Sequence, residues 1–332
     1  MWELVNRTPF SAERAFARDR DGAEVLLVVV KAVYKIDPVA GTYLAEAQEP
    51  IARAPIYVGE AGASSLLHEA DFALGKRATD VLVLGHAYSA GGVPGIAAEA
   101  SLRAGPIHKR VLVIGDRVWE RRLGEPALSD PTPFVRIPLG YERAFGGRCG
   151  DDVEMRNPIG TGFASRAAAI LGMRGPNLED PDHRIVAWSD HPRPMSFGPI
   201  DRGWSPRRER AGTHDEAWER ERMPLVPRDH DDRCQQAAPD DQQAAEGLRG
   251  GEAFELRHLT PEGVLHFTLP KVPLRFRTRV DGADVKHRGR LHTVTIEPDR
   301  RRLTLVWQAE LPCHFTIGSL ERTTVSLRKP PR

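Results

Sequence analysis

The run from Glu24 to Asp37 (EVLLVVVKAVYKID) is dense in Val and closes in alternation, with Val33, Lys35 and Asp37 set against Ala32, Tyr34 and Ile36. β-Branched residues pack well on a pleated surface, so the run predicts a long strand, apolar on both faces at first and on one face later. Further strands are expected at Asp80 to Tyr88, Ile96 to Leu102, Lys109 to Ile114, Phe254 to Leu259, Val264 to Leu269, Leu274 to Val280, Leu291 to Glu297 and Arg302 to Glu310. The clearest hairpin turns at Pro298-Asp299-Arg300-Arg301, and its alternation puts Trp307 on the core face with Leu303 and Leu305. No long amphipathic helix separates these runs. The expected fold is therefore mainly β, with sandwich- or barrel-like lobes at both ends and few short helices.

Between residues 126 and 251 the periodicity fades and Pro, Gly, Arg and Asp take over. Only Ser165 to Leu171, Asp215 to Arg222 and Asp240 to Leu248 read as helical. Phe134, Tyr141, Phe145, Phe163, Trp188, Phe197, Trp204 and Trp218 stud the stretch. Aromatic side chains bury large areas when they dock, so an ordered, irregular layer over the β elements is expected. The division is then 1–125, an N-terminal β lobe; 126–251, the layer; and 252–332, a C-terminal β lobe, or one integrated unit made of all three. The 30 Gly and 27 Pro among 332 residues exceed the usual combined share of about 12 % and fit a chain of turns.

The 47 basic against 46 acidic residues leave a net charge of +1, which argues against nucleic acid and anionic membrane as partners. Three scattered cysteines, Cys149, Cys234 and Cys313, support neither a disulfide framework nor a thiolate zinc site. With no basic-then-apolar leader after Met1 and no long apolar run, a cytoplasmic protein without membrane insertion is expected. The 40 Arg against 7 Lys are sufficiently explained by a GC-rich genome.

Enzyme motifs do not surface. Gly75-Lys76 has Ala70 and Arg77 where a phosphate loop needs Gly and Ser or Thr, and no Gly-x-Ser-x-Gly elbow occurs. Asp180 to His183, Asp190-His191 and Asp229 to Asp232 mix imidazole with carboxylate, but nothing sets three ligands on one face, so solvated loops are expected and no metal or cofactor. Two sets of residues stand out instead. Gly115-Asp116-Arg117-Val118-Trp119 follows a strand, which puts Asp116 and Arg117 in a turn as a possible ion pair; Arg117 and Trp119 either close the turn or form a partner hot spot. Trp204, Arg207, Arg208 and Trp218 either pin the layer to the core or face a partner. Gly146-Gly147 reads as a backbone conformation that other residues do not adopt.

Taken in order, Asn6-x-Thr8-Pro9-Phe10, Lys31-x-x-Tyr34, Thr79-Asp80-Val81, Gly115-Asp116-Arg117-x-Trp119, Tyr141-Glu142-Arg143-Ala144-Phe145-Gly146-Gly147, Asn157-Pro158-x-Gly160-x-Gly162, Ala211-Gly212-Thr213-x-Asp215-x-x-Trp218 and Gly250-Gly251-Glu252 resemble the bacterial family known as domain of unknown function twenty-one sixty-nine. The resemblance implies a cytoplasmic adaptor or chaperone of type VI secretion. Its implied partners are a toxin effector and a PAAR-type spike-tip protein, with the trimeric spike beyond them. It brings no catalytic residues. An uncharacterised enzyme using the His/Asp clusters, or a structural part of the injection apparatus, are the other readings. The chain departs from the family at Pro227-Arg228-Asp229-His230-Asp231 and at Cys234, where a bulky aromatic is common, which marks the surface near residue 230 as variable.

Overall fold

The computed structural model describes residues 2–313 and 317–328. It is mainly β, 43 % strand against 10 % helix, with several sheets and no closed barrel. The expected long strand is present over Glu24–Asp37, and it is the axis of a seven-stranded sheet. Across that sheet run Gln243–Ala244, Thr79–Val83, Gly289–Glu297, Arg302–Pro312, Glu24–Asp37 and Ser11–Arg18, with Gly41–Leu44 also paired to Glu24–Asp37. Thr79–Val83 and Gly289–Glu297 are parallel; the other pairs are antiparallel.

Both faces of this sheet are covered, as the apolar run demands. Leu26, Val28, Val30, Ala32, Tyr34 and Ile36 enter the main core, while Val29 joins Ile51 and Val306 on the other side. The hairpin strand Arg302–Pro312 divides the same way. Leu303, Leu305 and Trp307 point to the main core, where Trp307 stacks on Phe10 at 6.3 Å between ring centroids.

A second sheet of five antiparallel strands runs Leu178–Glu179, Ile107–Ile114, Ala97–Ala104, Ala253–Arg257, Val264–Thr268. A third, of four, runs Glu3–Asn6, Leu320–Leu327, Leu274–Val280, Ala283–His287. In all three, strands from 1–125 pair with strands from 252–332, so the two β segments share their sheets.

The stretch 126–251 is ordered and irregular, lying over the β elements. Tyr141, Phe145, Phe197 and Trp204 are buried, and Phe134 packs against the main core. The longest helix among the described residues is Glu216–Glu221, capped by the Asp215 carboxylate, which accepts from Trp218 N. The helix expected over Asp240 to Leu248 does not form. A 3₁₀ turn, Asp240–Gln242, leads into the strand Gln243–Ala244, because the buried Gln242 amide donates to Val81 O at 2.7 Å and Phe197 O at 2.9 Å. Those tertiary bonds outweigh local helix propensity.

Candidate partner-binding surface

Four of the six residues singled out in the sequence are interior. Arg207, 2 % exposed, donates to Glu69 Oε2 at 2.9 Å, Ile200 O at 2.6 Å and Cys234 O at 2.8 Å. Burial works to raise the Glu69 carboxyl, and the guanidinium groups of Arg207 and Arg202 outweigh it and hold the group below the usual carboxylate range. Trp204 is buried edge-on against Tyr141, with centroids 5.4 Å apart. These two residues pin the layer to the core. Of the same set, Arg208 is exposed, and Trp218 is half-buried with its indole N–H donating to Leu225 O at 2.8 Å.

At the other set, the expected Asp116–Arg117 ion pair is not made, because the turn sends the two side chains to different partners. Arg117 is buried and donates to Glu179 Oε1 at 2.5 Å and Pro176 O at 2.6 Å. Asp116 accepts from Arg143 at 2.9 Å and from Asn177 Nδ2 at 3.0 Å. Trp119 belongs to a second, smaller core with Phe145, Ala164, Ile170 and Ile185. The node is closed by Asn177, which bonds Ile114 through both its backbone and its amide. A buried charge pair is costly to break from one side.

The same node carries a surface that sequence reading missed. Thr132 N donates to Asp116 O at 3.0 Å and Ser129 N to Val118 O at 2.8 Å, so the chain at 129–133 crosses the end of Ile107–Ile114. A Cβ at Gly115 would lie 1.8 Å from Thr132 O, and only glycine permits the crossing. Beyond it, Gly95 and Phe134 exchange both backbone hydrogen bonds, at 3.0 and 2.8 Å. Phe134 points inward to the main core. By the two-residue alternation of extended chain, Pro94, Ile96, Pro133 and Val135 project to the opposite side, and all four are exposed. Ile96 is 56 % exposed, Val135 44 %, and Val93 at the adjoining turn 62 %. Ser89 locks that turn, its hydroxyl donating to Val93 O at 2.6 Å and its N–H to Val135 O at 2.9 Å.

The result is a two-stranded apolar ribbon, joined to the end of Ile107–Ile114 where Gly115 N donates to Ile96 O at 3.0 Å, and stiffened by two prolines. Its flanking prolines offer no N–H for further strand pairing, so it presents side chains rather than a backbone edge.

Elsewhere a cavity of about 30 Å³, room for a water molecule or two, lies between the seven-stranded sheet and the layer. Lys31, His68, Asp71, Lys76, His292 and Thr304 line it. Burial, with Lys76 and Arg290 nearby, pushes His292 down to about 3. His68 is also pushed down, by burial and by Lys31. Among the described residues no group of three or more His, Cys, Asp or Glu side chains is placed to hold a metal ion.

The fold and these joints define a mainly β protein in which several of the sequence motifs fix the backbone, one of them, Gly115 to Trp119, beside the exposed apolar ribbon. The chain belongs to the bacterial family described as "Uncharacterized protein conserved in bacteria (DUF2169)", whose sequence profile matches residues 21–308. The Asn6 to Phe10 motif lies ahead of the matched part. No curated protein and no solved structure matches the chain.

Proposed function

We propose that the protein is a cytoplasmic adaptor or chaperone without enzymatic activity. In this reading it binds a type VI secretion toxin, its PAAR-type tip protein, or both, and helps load them onto the spike. The observation that carries the binding role is the ribbon of Val93, Pro94, Ile96, Pro133 and Val135, because contiguous exposed apolar residues on a rigid frame mark protein contact surfaces. A frame already locked by Ser89 and two prolines loses little conformational freedom when a partner docks, which favours affinity. The secretion setting rests on the motif resemblance alone.

An adaptor acts on cargo, and a structural part acts on every firing event. Deleting the gene should therefore stop delivery of one cognate toxin while the host still assembles the apparatus and secretes its other cargo. Loss of all secretion would instead make the protein part of the machine.

A further inference from the structure

A second surface lies beside Phe10 and Tyr34, where the seven-stranded sheet meets the end of the four-stranded one. Phe10, Tyr34, Val272, Pro273 and Leu327 form an open groove of about 340 Å³ with Lys271 and Arg328 at its rim. The size suits one or two large side chains rather than a bare ion. Its floor is rigid. Asn6 Nδ2 donates to Phe10 O at 2.6 Å, and Phe10 packs against both Tyr34 and Trp307. Burial pushes the Tyr34 phenol up to about 12, which marks the floor as poorly hydrated.

The two cations are set against this floor by the fold. Gly250 and Gly251 both have positive φ, and Cβ atoms on them would lie 2.8 Å from Lys271 Cα and 2.3 Å from Lys271 Cε. The glycine pair thus leaves the room in which the Lys271 stem lies. Arg328 is fixed through its backbone, Arg328 N donating to Pro273 O at 2.8 Å. Both side chains are exposed, and neither forms an ion pair among the described residues. An apolar slot flanked by two exposed cations fits a large apolar side chain with carboxylates beside it.

We infer that the groove docks an extended partner segment in which a Leu or aromatic residue is flanked by Asp or Glu. The inference rests on the adaptor reading for the source of that segment only, and the groove is tested without toxin or tip protein. Short random peptides displayed on phage are selected against the full chain, and the best peptide is titrated by fluorescence polarisation. The expected result is enrichment of Leu, Phe or Trp next to Asp or Glu, with binding weakened at least tenfold, about 1.4 kcal/mol, by Lys271→Glu with Arg328→Glu. Lys271→Gln with Arg328→Gln should lose part of the affinity while the melting point holds. Peptides without acidic residues, or affinity indifferent to both charge pairs, would overturn the inference.

Two other occupants are distinguishable. The last four residues, Lys329-Pro330-Pro331-Arg332, lie outside the described residues. Peptide binding only after their removal would assign the groove to the chain's own end and overturn the inference. A dimer in solution that Leu327→Asp converts to monomer would assign it to a second copy, with the same consequence.

Discussion

Arg207 and Arg208 are neighbours of one type with opposite fates. Arg207 has three partners in the interior, and its carboxylate partner Glu69 stands 138 residues away in the chain; Arg208 faces solvent. Arg207→Glu would put a second carboxylate beside Glu69 and leave only the half-exposed Arg202 to face both, so it should cost roughly 3 to 5 kcal/mol in a urea melt. Arg208→Glu should stay within about 0.5 kcal/mol. Equal effects would show that Arg207 is not held as described. Nothing local in the string Arg207-Arg208-Glu209-Arg210 distinguishes the two residues, which is why the sequence left this segment open between core and partner surface. The motifs were more legible as landmarks than as roles. Asn157 shows what such a landmark does: its amide donates to Tyr141 O and Phe145 O, while Gly146, at φ 148°, leaves room where a Cβ would sit 2.2 Å from Asn157 O.

At the scale of elements, several strands with dense Val, Ile and Leu were legible closely, but the single strand expected over Asp80 to Tyr88 breaks at Gly85, φ 138°, into Thr79–Val83 and His86–Tyr88 in two different sheets. Glu24–Asp37 and Leu274–Val280 occupy the expected bounds. Ser11–Arg18 was not, since it carries three Ala and no β-branched residue; it is a strand because eight register pairs with Glu24–Asp37 supply a template. The ribbon was illegible for a related reason. Ile96 and Val135 look like ordinary loop residues until the Gly95–Phe134 pairing brings them side by side. The hairpin gives the most direct test of the strand alternation that was legible. Trp307 is 7 % exposed and stacked on Phe10, so Trp307→Ala should cost roughly 3 to 5 kcal/mol. A melting point within a degree of the parent protein would place the residue outside the core.

For the whole molecule, the cavity between sheet and layer makes stability depend on pH. His292 is buried and neutral, with its folded pKa near 3 against about 6.5 in an unfolded chain. Below pH 6.5 the unfolded chain binds a proton that the folded one refuses. Stability from this group is therefore full above about pH 6.5 and is lost as pH falls toward 3, at up to about 1.4 kcal/mol per pH unit. His287, pushed down to about 4 by burial, adds to the same limb. Melting curves between pH 7 and 4 should fall less steeply for His292→Asn than for the parent, and parallel curves would show that His292 does not set the acid limb.

We propose that the ribbon is the surface through which the protein holds its cargo. The measurement that reaches it most directly is co-purification from the native host, with bound proteins identified by mass, for the parent and for Ile96→Asp combined with Val135→Asp. Both positions are exposed, so the double variant should melt within about a degree or two of the parent, as solvent-facing changes usually do. Carboxylates buried in an apolar contact should weaken the complex at least tenfold and remove the toxin or tip protein from the purified sample. A folded double variant that still brings down the same partner in the same amount would place the contact away from the ribbon.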